Sequence, residues 1–179
     1  QIMCTGSRLC YDSFSRGRQP DEHLAHVIAS GHGSVLEHAN FTFLFTGVSR
    51  SLTHELIRHR HFSFSEQSQR YIEVPGNFVV PPLLPEDRWD LWHTRQLVAH
   101  RTYLQEIELL LARGLKRKEA HGVARSYLPE ATETRILVTG NLRAWRGFFD
   151  QRISEHAEAE IRRLGIAVFQ HLRIDTQAL

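Results

Sequence analysis

The spacing of apolar and polar residues predicts a few short strands among longer helices. Phenylalanine occupies every second position from 41 to 45, and this period of two predicts a strand with one aromatic face. The β-branched residues between 134 and 139 predict another strand. The strand candidates are residues 41–46, 71–74, 78–80 and 134–139.

Apolar residues three or four positions apart predict six helices. Pro20 precedes the first helix and Gly31 follows it, as is common for these residues at helix ends. Either Ser49 or Ser51 would cap the second helix, and Gly114 would end the longest one. The predicted helices are residues 21–30, 49–61, 85–113, 116–126, 141–151 and 154–172.

The predicted helices and strands do not alternate regularly along the chain. That order argues against a doubly wound parallel sheet, in which each strand is followed by a helix. The pattern favours an α+β fold with a small, mainly antiparallel sheet flanked by long helices. We expect one domain over residues 1–179.

Composition narrows the class of protein. The net charge of +2 balances 22 Lys and Arg against 20 Asp and Glu, and most of the cations are Arg. Such a balance favours local anion sites over a broad nucleic-acid surface. No apolar run approaches the roughly 20 residues of a membrane helix, and the first residues lack a secretory pattern. Cys4 and Cys10 do not make a disulfide framework, so we expect a cytoplasmic protein.

The segment 58–71 carries the densest chemistry, because three Arg, two His and several hydroxyls fall within fourteen residues. Residues two apart on a helix point to nearly opposite sides, so Arg58 and Arg60 would touch two ligands or two parts of one. The hydroxyl-rich loop that follows suits a phosphate or a base edge. Two alternatives remain open: a solvated basic turn, and a nucleic-acid-binding module that interleaves cations with aromatic residues.

The spacing within this segment resembles the signature of flavin-dependent thymidylate synthases. Arg58-His59-Arg60 is followed after seven residues by Ser68 and then by Arg70. Three further blocks resemble the same family in order and spacing: residues 31–38, residues 124–135, and residues 141–162. The resemblance extends over residues 8 to 170.

This resemblance implies a homotetramer of α+β subunits that binds FAD without a Rossmann motif in sites shared between subunits. It implies reductive methylation of uracil C5, dUMP to dTMP, with methylenetetrahydrofolate and NADPH as co-substrates. The substrate would be a pyrimidine nucleoside monophosphate, and neither nucleic acid nor a membrane would be a partner. An alternative is the same chemistry on UMP in nucleoside-antibiotic synthesis.

The resemblance also assigns residues to the two ligands. It implies FAD contacts for Ser34, Glu37, Arg58, His59, Arg60, Asn141, Arg143 and His156. It implies nucleotide contacts for Arg50, Glu55, Glu66, Ser68, Gln69, Arg70, Arg125 and Arg152. His32 and Tyr71 would lie near the folate or the outer flavin face.

Arg152 and Ser68 are the catalytic candidates among these residues. Arg152 would stabilise negative charge on the uracil oxygens as a permanent cation. Ser68 stands where a nucleophile would be attractive, but no activating base is evident, so a binding role is favoured for it. Arg125 would reach the site from a neighbouring subunit.

The many histidines do not predict a metal site, because His54, His59 and His61 lack the spacing that puts ligands on one helix face. Cys10, Gly147, Gln151 and Gln67 depart from residue types that are usual in the family. These departures leave the choice between dUMP and UMP open.

Overall fold

A computed structural model describes the backbone of residues 1–15 and 17–176, and the side chains as far as residue 172. Seven α-helices are found there: α1 Ile2–Cys10, α2 Pro20–Ala29, α3 Arg50–Leu56, α4 Trp89–Ala112, α5 Arg117–Ala124, α6 Leu142–Arg152 and α7 Ala159–Thr176. The three strands are β1 Asn40–Ser49, β2 Ser63–Glu66 and β3 Glu133–Asn141. Short 3-10 segments cover Gly33–His38, Glu86–Arg88 and Arg125–Tyr127.

The strands form one small sheet in the order β1-β3-β2. Thr42 hydrogen-bonds Thr139 through their hydroxyls at 2.9 Å, and the Arg50 amide donates to the Thr132 carbonyl at 3.0 Å. Residue numbers therefore rise along β1 while they fall along β3, as in an antiparallel pair. The small antiparallel sheet with its helices confirms the predicted α+β class.

The chain divides into two compact units, each with its own core. Unit 1 comprises Gln1–Phe43, His59–Ser63 and Val138–Leu179, and Trp145 and Phe148 are fully buried in it. Unit 2 comprises Leu44–Arg58 and Phe64–Leu137. A cluster of buried side chains forms its core: Val74, Tyr103, Ile107 and Ala124.

All six predicted helices form, and three of them differ by more than two residues at one end or at both. The longest, predicted from residue 85, begins at Trp89 after the 3-10 segment Glu86–Arg88. Helix α1 was not predicted from the sequence.

The helix predicted over 49–61 ends at Leu56, so Arg58 and Arg60 lie in turns. The prediction that their side chains point to opposite sides assumed a helix and does not apply there. The helix predicted over 154–172 begins only at Ala159. The Glu158 carboxylate accepts from the Glu160 amide at 2.7 Å and thereby starts α7.

Strand predictions were less accurate. Residues 71–74 form no strand, and Phe78 makes only a single bridge, to Thr132. Strand β2, where Phe64 lies between Ser63 and Ser65, was not predicted from the sequence. The strands predicted over 41–46 and 134–139 are confirmed, and both extend further as β1 and β3.

Within the described part of the chain, no helix is both long enough and apolar enough to cross a lipid bilayer.

Candidate active site

A cavity of about 580 Å³ in unit 2 gathers four of the residues predicted to bind the nucleotide. We call it the α3 cavity. Its lining comprises Arg50, Thr53, His54, Ile57, Glu66, Gln69, Gly122, Arg125, Ser126, Leu128, Pro129 and Glu130. A volume of this size is typical of small-molecule sites.

One face of α3 forms a wall of the α3 cavity. Arg50, Thr53, His54 and Ile57 are spaced i, i+3, i+4 and i+7, so they share one side of the helix. Ser49 fixes where this helix begins, since its hydroxyl accepts from the Leu52 amide at 3.0 Å. Thr53 and His54 were not predicted as site residues, although the helical period starting from Arg50 was enough to find them.

An ion pair organises the charge in the α3 cavity. Arg50 Nη1 lies 2.8 Å from Glu66 Oε1, and both side chains are largely covered. The Glu66 oxygen is close enough for a salt bridge but makes no aligned hydrogen bond. Arg125 follows α5 and adds a second guanidinium to the lining. Two Arg side chains therefore line one cavity, where each offers a fork of donors that matches phosphate oxygens.

Three other predicted nucleotide residues of unit 2 do not line the α3 cavity. Glu55 is five residues beyond Arg50, about 140° around the helix from it. Ser68 closes a turn, because its hydroxyl accepts from the Arg70 amide at 3.4 Å and its carbonyl accepts from the Tyr71 amide at 3.2 Å. Arg70 lies against the wall of the α3 cavity: a Cβ added to Gly122, a residue of the lining, would be 3.8 Å from Arg70 Nε.

Tyr71 has a cationic neighbour that the sequence analysis missed. The Lys118 ammonium lies 4.6 Å from the centroid of the Tyr71 ring. A hydrogen bond from Lys118, together with its charge, lowers the pKa of the Tyr71 phenol below its usual range. Tyr71 is 63% exposed, so its ring is available to a flat ligand.

A second cavity, of about 510 Å³ and within unit 1, gathers four residues predicted to bind FAD. We call it the α6 cavity. Its lining comprises Glu37, His59, His61, Phe62, Asn141, Arg143, Ala144, Gly147, Phe148 and Gln151. Residues 144, 147, 148 and 151 again show the i, i+3, i+4, i+7 spacing of one helix face. Two of the departures noted in the sequence, Gly147 and Gln151, therefore fall in this cavity.

His59 is held between aromatic rings and Arg152. Its ring packs edge-on against Phe148 with centroids 5.0 Å apart. Arg152 Nε donates a hydrogen bond to His59 Nε2 at 3.0 Å. Burial and, secondly, the charge of Arg152 lower the pKa of His59 from its usual value of 6.5. His59 therefore stays neutral at pH 7 and accepts the hydrogen bond.

Arg143 and Asn141 have defined partners in the α6 cavity. Arg143 Nη1 donates to Glu37 Oε1 at 2.6 Å, and this ion pair is exposed. Asn141 Oδ1 accepts from the Ala144 amide at 2.9 Å and caps α6. The amide nitrogen of Asn141 remains a donor for a ligand, as do further N–H groups of Arg143.

Four other predicted FAD contacts do not line the α6 cavity. Ser34 lies in the Gly33–His38 segment, and Arg60 and His156 are exposed in turns. Arg58 belongs to unit 2. Among the described residues, no group of three or more His, Cys, Asp or Glu is placed to hold a metal ion.

Comparison with known proteins identifies relatives along nearly the whole chain. A family model described as thymidylate synthase complementing protein matches residues 1–174. A flavin-dependent thymidylate synthase of Mycobacteroides abscessus is 50% identical over 179 aligned residues, which cover 92% of this chain and 72% of that protein. Flavin-dependent thymidylate synthases of Mycobacterium tuberculosis and Mycobacterium avium are 49% and 46% identical, with the same two coverages.

Proposed function

We propose that this chain, which belongs to the thymidylate synthase complementing protein family, converts dUMP to dTMP as a flavin-dependent thymidylate synthase. FAD is the proposed cofactor, and methylenetetrahydrofolate and NADPH are the proposed co-substrates. The observation that carries the proposal is the α3 cavity, where Arg50, Glu66, Gln69 and Arg125 line one concave surface.

The α3 cavity supplies groups that match a uracil nucleotide. Arg50 and Arg125 would bind the phosphate, because guanidinium groups pair with phosphate oxygens through charge-assisted hydrogen bonds. Gln69 offers both a donor and an acceptor, the combination that a uracil edge requires. Arg70, against the wall of this cavity, would add a further cation to the phosphate. Ser68 would have a binding role, since among the described residues no base is found in contact with its hydroxyl.

Arg152 is the proposed electrostatic catalyst. Uracil C5 becomes nucleophilic when negative charge on the ring oxygens is stabilised, and a fixed guanidinium supplies that stabilisation. His59 would orient this group by accepting a hydrogen bond from Arg152 Nε at 3.0 Å. His59 is then a positioning residue as well as part of the cofactor site.

The α6 cavity offers suitable chemistry for part of FAD. Arg143 and the Asn141 amide would hold phosphate oxygens, and the rings of Phe62 and Phe148 would cover an apolar surface of the cofactor. A Cβ on Gly147 would meet no atom within 4 Å, so this wall leaves space for a ligand. Once bound, FAD supplies the redox chemistry, while the protein binds and orients the rings.

We propose a homotetramer whose active sites draw on more than one subunit: the α3 cavity of one chain, which holds both Arg50 and Arg125, would complete its site with the flavin-binding residues of a neighbouring chain. Sharing of sites would explain how a chain of 179 residues binds a flavin and a nucleotide together. His32 and Tyr71 remain the candidates for contacts with folate or the outer flavin face.

A turnover assay tests the function directly. Purified protein with FAD, NADPH and methylenetetrahydrofolate should convert dUMP to dTMP, and UMP offered in its place tests the alternative substrate.

Arg125→Gln should weaken binding of dUMP about 10- to 100-fold, the loss expected when a charge-assisted hydrogen bond disappears. The matched control is Arg113→Gln, an exposed cation beyond the end of α4. A protein that binds no flavin and methylates neither nucleotide would overturn the proposal.

A further inference from the structure

A third cavity, of about 770 Å³, lies in the N-terminal part of unit 1 and contains only one residue with a role proposed above. We call it the N-terminal cavity. Its lining comprises Tyr11, Ser13, Gly17, Arg18, Glu22, His23, His26, Val27, Ser30 and His32. His32 is the residue already discussed. The lining is rich in hydrogen-bond donors, and Glu22 is the one carboxylate among the described residues that form it.

Helix α2 places the histidines of this cavity. Glu22, His23, His26, Val27 and Ser30 follow one another around a single side of the helix. The helix then ends in a Schellman motif: Gly31 has φ 78°, its amide donates to the Ile28 carbonyl at 3.0 Å, and the His32 amide donates to the Val27 carbonyl at 3.1 Å. This reversal brings His32 to the same cavity.

Among the described residues, two buried polar atoms in this region have no hydrogen-bond partner: the Ser13 hydroxyl, in the lining of the cavity, and Arg8 Nε, outside the lining. Ser13 lines the cavity with only 5% of its surface exposed, and its hydroxyl is unpaired. Arg8 donates through Nη2 to the Arg18 carbonyl, whereas its Nε is buried and unpaired. Unpaired buried hydroxyl and guanidinium groups cost stability unless a ligand or water pairs with them.

His23 is oriented so that one ring nitrogen remains for a ligand. Its Nε2 lies 2.9 Å from the hydroxyl of Ser7, a residue almost completely buried. When Ser7 donates this bond, the proton of the neutral ring is on Nδ1, which is then a donor. Burial, followed by the charges of Arg8, Arg18 and His26, lowers the pKa of His23. An anion in the cavity would oppose the repulsion from those cations.

We propose that the N-terminal cavity binds the phosphate group of a small organic phosphate whose aromatic ring packs on Tyr11 and His32. Arg18, the two α2 histidines and the Ser13 hydroxyl would donate to the phosphate oxygens. Tyr11 and His32 contact each other edge-on with centroids 6.1 Å apart, and so present aromatic surface beside these donors. The proposal does not depend on the reaction assigned above.

The test follows the histidine ring resonances by NMR while inorganic phosphate, AMP or adenosine is added at constant ionic strength. His23→Gln and His26→Gln identify the two signals. Phosphate and AMP should shift both signals saturably, with AMP the tighter ligand, whereas adenosine should bind at least tenfold more weakly than AMP. The bound phosphate should also raise the pKa of His23, which burial and then the charges of Arg8, Arg18 and His26 lower in the free protein. Glu22 and His32 are the other titratable groups in the lining.

Arg18→Gln should weaken the shifts caused by AMP at His23 and His26 about tenfold or more, because it removes one charge-assisted pair. Arg95→Gln, an exposed cation on α4, is the matched control and should leave them unchanged. Ser13→Ala should weaken AMP binding without unfolding the protein, since it removes an unpaired hydroxyl. If the shifts of these resonances show that the parent protein and Arg18→Gln bind AMP with equal affinity, the proposal is wrong. Equal binding of AMP and adenosine would also overturn it.

Discussion

The contact between Arg152 and His59 ties the geometry of a catalytic candidate to a protonation state. Arg152 Nε donates to His59 Nε2, so this nitrogen must carry no proton. Burial and the charge of Arg152 lower the pKa of His59, which keeps the ring neutral near pH 7. Protonation would remove the acceptor and place two cations side by side.

Stability should therefore decrease as the pH falls below 6.5, the usual value for His59. Between that value and the lowered pKa, the unfolded chain binds a proton that the folded chain does not, so the free energy of unfolding rises with pH in this window. His59→Gln keeps an acceptor that does not titrate. Urea unfolding at pH 7 and pH 5 should show a smaller difference in stability for this variant than for the parent chain.

His23 has a lowered pKa too, so the variant should retain part of the pH dependence. The ring resonance of His59 measured by NMR provides the direct check. If His59 titrates at or above 6.5, or if His59→Gln leaves the pH dependence unchanged, the hydrogen bond to Arg152 does not control this behaviour.

At the scale of single elements, the first turn of α3 depends on one serine. Ser49 accepts from the Leu52 amide, whereas Ser51, the other candidate in the sequence, is exposed within the helix. Ser49→Ala should lower the free energy of unfolding by about 1 kcal/mol, the usual cost of losing an N-cap. Ser51→Ala is the matched control and should change it by less than about 0.5 kcal/mol. Equal effects in urea unfolding would contradict the assignment of Ser49 as the cap.

Two glycines of unit 1 should respond in opposite ways to the same added methyl group. A Cβ on Gly140 would overlap the Phe62 ring, which packs on the buried Trp145 with centroids 4.4 Å apart. Gly140→Ala should therefore destabilise the protein by about 1–3 kcal/mol. A Cβ on Gly147 would meet nothing within 4 Å, so Gly147→Ala within α6 should be neutral or stabilise by up to about 1 kcal/mol.

Thermal unfolding of the two alanine variants, compared with the parent chain, measures this difference. Flavin binding adds a second measurement, because Gly147 lines the α6 cavity. Weaker FAD binding by Gly147→Ala, without loss of stability, would support this wall as part of the cofactor site. A destabilised Gly147→Ala variant would contradict the open space beside this residue.

At the scale of the whole molecule, the proposed sharing of active sites predicts complementation between inactive variants. Arg125→Gln and Arg143→Gln should each lower activity, because the first weakens the nucleotide site and the second the flavin site. If Arg125 and Arg143 of one site come from different chains, mixed tetramers should regain about a quarter of the parent activity, by random assortment of two kinds of subunit.

The measurement is dTMP formation after the two variants are unfolded together and refolded. Each variant refolded alone is the control, and sedimentation should give a mass near four times the 20.7 kDa chain. A fully active monomer, or mixed tetramers without regained activity, would contradict shared sites.

The sequence by itself determined the family, two of the three strands and six of the seven helices within the described part of the chain. Alternating phenylalanines were enough to predict β1, and Gly31 and Gly114 were enough to predict where α2 and α4 end, because these signals depend on neighbouring residues. The spacing from Arg58 to Arg70 identified the family, since it is a property of the chain order. The helical period starting from Arg50 also contained the signal for His54, although that residue was not predicted to line the site.

Only the tertiary structure decided which residues meet across long separations. Glu37 pairs with Arg143 and Arg152 with His59, and no local pattern encodes contacts about a hundred residues apart. The pairing of β2 is also a long-range result, since the Gln67 amide, directly after this strand, donates to the Arg135 carbonyl. Packing and hydrogen bonds between distant segments override local propensity, so the cavities emerge only when the chain has folded.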